Sequence, residues 1–134
     1  MNQEELQKKY MELQMLDQQM KQIQKQLQIL ETQTEELHAT KQQMEEFAAS
    51  KPGSAMLVQL ATGIFAKAEL KDTKEFVVNV GSNVAVAKDL LSTQKMIDEN
   101  IQEMKKLSEE LMHSLQQTAS QAVSLEEDLQ KLVE

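Results

Sequence analysis

An apolar stripe that occurs twice, once toward each end, limits what this chain can fold into more than any other feature. Leu6, Lys9, Leu13, Leu16, Met20, Ile23, Leu27, Leu30, Thr34, Leu37, Lys41, Met44 and Ala48 recur at alternating spacings of three and four, and ten of these thirteen are apolar. Leu90, Gln94, Ile97, Ile101, Met104, Ser108, Leu111, Leu115, Thr118, Ala122, Leu125, Leu129 and Leu132 form a second series of the same length with the same apolar share. A stripe that repeats every 3.5 residues on average stays on one side of an α-helix and forms the seam of a coiled coil. Two seams of equal length on one chain are expected to pack on each other as an antiparallel hairpin.

Antiparallel packing sets the a positions of one helix against the d positions of the other. Pairing Ala48 with Leu90 does this throughout. Lys41 then faces Ile97, Leu27 faces Leu111, Leu16 faces Ala122 and Leu6 faces Leu132, and no layer is polar on both sides. At about 1.5 Å rise per residue, helices of roughly 45 residues reach about 65 Å from their base. The use of such an element is reach.

Between the helices the period changes. Ser50-Lys51-Pro52-Gly53-Ser54 is a helix stop, in which Pro forbids continuation and Gly permits a turn. Four short strands are expected after it, at 56–60, 64–70, 75–80 and 83–87, separated by turn formers at Thr62-Gly63, Lys71-Asp72-Thr73-Lys74 and Gly81-Ser82-Asn83. The chain is thus mainly α, a long antiparallel two-helix coiled coil with two β-hairpins inserted between the helices. Its parts are a first helix in 1–50, the hairpins in 51–88 and a second helix in 89–134.

The strands carry apolar residues on more than one face: Val58, Leu60, Ile64, Phe65, Leu70, Phe76, Val78, Val80, Val84 and Val86. Hairpins this small cannot bury such faces internally, and isolated hairpins are marginal in water. Open edges with apolar faces are expected to join the strands of other subunits. The alternative is that they fold back on the helix bases.

Composition narrows the function. One Pro, three Gly and three Phe among 134 residues suit long helices rather than a thick core. No stretch approaches the roughly 20 apolar residues of a membrane span. The polar start Asn2-Gln3-Glu4-Glu5 lacks the pattern of a signal peptide, so the expected location is cytoplasmic. Absence of Cys excludes disulfides and thiolate chemistry. A net charge of -8 disfavours nucleic acid and anionic lipid as partners, because affinity for both comes from Lys and Arg.

The order of helix, two hairpins and helix, together with Ala61-Thr62-Gly63-Ile64-Phe65-Ala66-Lys67-Ala68-Glu69-Leu70-Lys71-Asp72-Thr73, closely resembles the α-class subunit of prefoldin in its archaeal form. Val77 to Val80, Gly81, and Val84-Ala85-Val86-Ala87-Lys88 resemble that family's second hairpin and its lead into the second helix. The β class carries one hairpin, so two favour the α class. Gln59 and Ala87 depart from the family's frequent Pro and Glu at those places. The resemblance implies an α2β4 hexamer whose strands assemble into a β-barrel platform. It further implies an ATP-independent chaperone that holds unfolded or nascent proteins and passes them to a group II chaperonin. The alternative is a structural coiled-coil scaffold without client binding.

No catalytic constellation is visible, and no cofactor or metal is expected. His38 and His113 fall off the seams as surface histidines, and the three glycines match neither a P-loop nor a dinucleotide fingerprint. The run Glu126-Glu127-Asp128 reads as a solvated helix face. The candidate site is a set of apolar residues that the seam does not need, near the free helix ends: Met11, Met15 and Val123 on outer faces, with Tyr10 and Val133 beside the seam. Unbranched, polarizable Met adapts to varied apolar shapes. Lys9 facing Leu129 makes a weak layer there, and fraying would add Leu6, Leu13, Leu125, Leu129 and Leu132 to the surface.

Overall fold

The structure, a computed structural model, describes residues 3–133; Met1, Asn2 and Glu134, at the ends of the expected helices, lie outside the described residues. The elements are α1 (Gln3–Ala49), β1 (Ala55–Ala61), β2 (Ile64–Glu69), β3 (Glu75–Asn79), β4 (Ala85–Asp89) and α2 (Leu90–Val133). Two long helices with a β-hairpin region between them are therefore present as expected. Residues up to Thr34 and those from Gln102 onward make one compact unit, and Glu35–Ile101 makes a second.

Burial follows the stripes. Every residue of α1 that is not exposed is one of the thirteen first-series positions, and all thirteen second-series positions of α2 are half-buried or buried. α2 shields three further residues, Thr93, Met96 and Ala119. In the unit that contains both helix ends, Leu30, Ala122 and Leu129 are buried. The Thr34 hydroxyl donates to the Leu30 carbonyl at 2.7 Å, and its oxygen lies 3.7 Å from Met104 Sδ across the helix pair. That contact is the layer in which the antiparallel register sets Thr34 against Met104.

In Glu35–Ile101 the core is Met44, Ile97 and Ile101, with Leu37, Phe76 and Leu90 packed against it. Leu37 beside Ile101 fits the same register. Polar seam positions reach outward rather than sit unsatisfied. Lys41 Nζ donates to Asp98 Oδ1 at 2.8 Å, and Gln94 Nε2 donates to Glu45 Oε1 at 3.0 Å. Both contacts are largely solvent-exposed, so they add little to stability and serve mainly to let a polar residue occupy the stripe.

The hairpins form separate two-stranded sheets, β1 with β2 and β3 with β4. Val58 pairs with Ala66 and Met56 with Ala68, a register that shifts between Gln59 and Ala61 before the turn at Gly63. Val78 pairs with Val86 and Phe76 with Lys88. The linker is tied to β2: the Gly53 N–H donates to the Leu70 carbonyl and the Leu70 N–H to the Ser54 carbonyl. Gly53 there has φ +87°, which a residue with a Cβ rarely adopts.

The fourth strand lies two residues later than expected. Ser82 and Asn83 both have positive φ and Gly81 lies at φ +117°, so the chain completes its turn only at Val84, whose N–H donates to the Gly81 carbonyl. Val80 and Val84, expected within strands, therefore flank the turn. Val80 still donates to Val84 at 2.9 Å. β4 then runs without a loop into α2. Asp89, its last residue, accepts from the Ser92 N–H at 2.8 Å and so caps the new helix.

Hydrogen bonds from Ser92, through its side chain first and its backbone second, hold the Asp89 carboxyl below the ordinary carboxylate range. A carboxyl whose pKa is depressed on folding stabilises the fold above its unfolded pKa of about 3.9, and the contribution fades as pH falls through the lower folded value. Asp89→Ala is expected to lower the urea midpoint at pH 7, with a difference from the parent that shrinks progressively below about pH 4. Urea titrations across that range, at fixed protein concentration, check it.

Candidate functional site

The ten tip residues named from the sequence divide into two groups. Tyr10, Met11, Met15, Val123 and Val133 are exposed, with Met11 at 64% and Val133 at 67% of their full surface. At least half of each residue's surface is open to another molecule. Leu6, Leu13, Leu125 and Leu132 are half-buried in the seam.

Leu129, expected to reach the surface only by fraying, is 6% exposed in the closed helix pair. Lys9, set against it by the register, is itself half-buried. That is how a lysine behaves when its methylene stem lies on apolar surface while its ammonium reaches water.

Within the same unit the two helices leave a groove of about 470 Å³ near their free ends. α1 lines it with Glu12, Met15, Leu16 and Gln19, and α2 with Gln121, Ser124, Leu125 and Asp128. Of the named tip residues only Met15 and Leu125 line this groove. The sequence reading named only apolar residues, off the seam and at its outermost positions, so Leu16 and the polar lining were missed. Leu16 and Leu125 of the seam line the groove beside Ser124.

The hairpins present a second apolar surface in Glu35–Ile101. Leu57, Val58, Leu60, Ile64, Phe65, Val77, Val80, Val84 and Val86 are all exposed, Val77 to 78%. Each two-stranded sheet leaves one edge of every strand unpaired. Phe76 behaves differently, since it packs on the helix-base core, so the second hairpin does partly fold back. Phe47 and Leu70 line two shallow grooves, of about 340 and 240 Å³, on this unit. Phe47, off the seam, was not singled out from the sequence.

Among the described residues no group of His, Asp and Glu could hold a metal ion, and no helix is long and apolar enough to cross a membrane. His38 and His113 are exposed, as expected. The chemistry available at both surfaces is burial of apolar area, rimmed at the tip groove by two carboxylates.

Comparison with known proteins agrees with this geometry. A family model described as Prefoldin, prefoldin subunit, matches residues 16–134. A prefoldin subunit alpha of Methanococcus aeolicus is 29% identical over 131 residues, which cover 98% of this chain and 89% of that protein. One from Archaeoglobus fulgidus is 27% identical over 128 residues, covering 96% and 93% respectively. The cryo-EM structure of filamentous PFD from Methanocaldococcus jannaschii shares the fold, with a TM-score of 0.79 at 14% identity, over 85% of this chain and 94% of that one.

Exposure makes one chemical prediction. Limited hydrogen peroxide is expected to convert Met11 and Met15 to the sulfoxide well before Met44, which is 7% exposed. Peptide mass spectrometry over a time course reads the order, and equal rates at the three positions would contradict the assignment of Met11 and Met15 to open surface.

Proposed function

The chain belongs to the prefoldin family, and from that premise we propose that it is an α-class subunit acting as an ATP-independent holdase. It binds unfolded or nascent proteins at the free ends of its helices and delivers them to a group II chaperonin. The observation that carries this reading is the contrast along α1 and α2. Every seam position is shielded, while Tyr10, Met11, Met15, Val123 and Val133 stand exposed near the free ends, where the fold makes no use of them.

Scattered exposed apolar residues are ordinary on a protein surface. Of the ten exposed large apolar residues on the two helices, five lie near the free ends, and two of those are methionines, whose flexible side chains suit many unrelated shapes. Several such tips around one client combine weak contacts through high effective concentration, so no single contact needs to be strong. Release is then passive and requires no nucleotide.

The partners proposed are β-class prefoldin subunits, in an α2β4 hexamer whose strands close into a barrel platform. Exposed Leu57, Leu60, Ile64, Phe65 and Val77 beside open strand edges support this, since such edges are otherwise templates for uncontrolled pairing. The relatives' own name, prefoldin subunit alpha, supports the same class. A soluble cytoplasmic location goes with the role. The reading includes no catalytic step and no cofactor.

The test replaces Tyr10, Met11, Met15, Val123 and Val133 together by Gln, in the complex with a β-class subunit. Suppression of aggregation of a denatured protein, followed by light scattering, is expected to weaken about tenfold or more, because each tip loses its apolar contacts and the tips act multiplicatively. The mass of the complex and its helix content are expected to stay the same. Undiminished suppression would favour a structural scaffold whose tips hold nothing.

A further inference from the structure

The tip groove is open, apolar at its floor and acidic at its rim. Met15, Leu16 and Leu125 supply the apolar surface, and Glu12 and Asp128 stand on opposite walls, one from each helix. No cation lines the groove. Among the described residues neither Glu12 nor Asp128 has an ion-pair partner; the salt bridge of the helix pair, Lys41 with Asp98, lies in the other unit.

The lysines nearest in sequence, Lys9 to Glu12 and Lys131 to Asp128, each lie three residues away on the same helix and pair with neither carboxylate. Counting residues 4–17 and 122–133 together, the tip holds seven carboxylates against three lysines. The field at the groove mouth is therefore negative, superimposed on a chain of net charge -8.

We propose that this groove selects extended client segments in which an apolar side chain is followed closely by Lys or Arg. The inference rests on the tips being the client-binding site and adds the chemistry they prefer. The apolar side chain enters between Met15 and Leu125, while the neighbouring cation lies between Glu12 and Asp128. Unfolded chains offer both at once, because folding normally buries the first and leaves the second in water. Segments that pair an apolar residue with Asp or Glu meet the same floor under a repulsive rim, and they bind less well.

Gln19 and Gln121 continue the groove away from the tip, into a second depression that they share with Gln22, Gln26 and Gln117. This stretch carries no charge, so selection by charge is confined to the tip. Its amides can both donate and accept, which suits the unpaired peptide groups of an extended chain.

The test uses the full chain in its complex with a β-class subunit and three fluorescein-labelled, unstructured 15-residue peptides. All share a Leu-Phe-Leu centre, flanked by Lys in one, Glu in the second and Ser in the third. Fluorescence anisotropy is expected to give the Lys peptide about tenfold tighter binding than the Glu peptide at low salt, the scale of two partly exposed ion pairs. The ratio is expected to shrink in 0.5 M NaCl, about five times the ionic strength at which the screening length is near 10 Å. In Glu12→Gln/Asp128→Asn the Lys and Glu peptides are expected to bind alike.

Equal affinity of the parent for the Lys and Glu peptides would overturn the charge preference while leaving client binding at the tips intact. Failure of all three peptides to bind would overturn the tip reading itself, and the preference with it. A Lys peptide whose Leu-Phe-Leu centre is replaced by Ser-Gly-Ser, bound as tightly as the original, would overturn the proposal by showing that charge acts without the groove. Peptide binding that disappears as the protein is concentrated would overturn it too, because the groove would then be filled by another tip.

Discussion

Each layer of the helix pair sets a side chain of α1 against one of α2, and helices whose outer faces are wet depend on that stripe for their existence. Long helices of Gln, Glu and Lys are only marginally stable alone, because propensity contributes little and most helical stability in proteins comes from packing an apolar face. The shielded residues of α1 are the seam and nothing else. The consequence reaches the function. Tyr10, Met11, Met15, Val123 and Val133, off that stripe, stay exposed near the free ends and are available for another molecule.

The same constraint explains why the hairpins need company. A two-helix pair has no second layer under which a sheet can hide, and of the strand residues Phe76 packs against the core of Met44, Ile97 and Ile101. Met56, Ala66, Ala68 and Val78 are half-buried, while Leu57, Val58, Leu60, Ile64, Phe65, Val77 and Val86 stay in water in the isolated chain. Apolar surface at the base suits permanent assembly, being broad and framed by open strand edges. At the tips it is sparse, mobile in side chain and suited to transient contact.

Much of this was legible in the residue order, and the reasons are local. Periodicity placed both helices, and Pro52 with Gly53 marked the first turn. The register followed from matching a to d positions, and the Thr34 contact to Met104 fits it. β4 was misplaced by two residues because Ser82 and Asn83, neither of them glycine, take left-handed backbone conformations that lengthen the turn. The strand-to-helix junction at Asp89 was hidden for a related reason: one residue serves as the end of a strand and as a helix cap. Met15 and Leu125 were named, but the groove they share with Glu12, Leu16 and Asp128 was not legible, since it depends on the heights of facing side chains rather than on the class of each.

The two helices of one chain close on each other antiparallel, in the register that joins Thr34 to Met104. Because the natural chain has no cysteine, Thr34→Cys/Met104→Cys introduces the only thiols, and mild oxidation followed by non-reducing electrophoresis reads which partners meet. The account predicts an intramolecular disulfide, seen as a faster-migrating monomer whose yield does not change on dilution. Disulfide-linked dimers that fall away on dilution, or thiols that stay reduced, would contradict it.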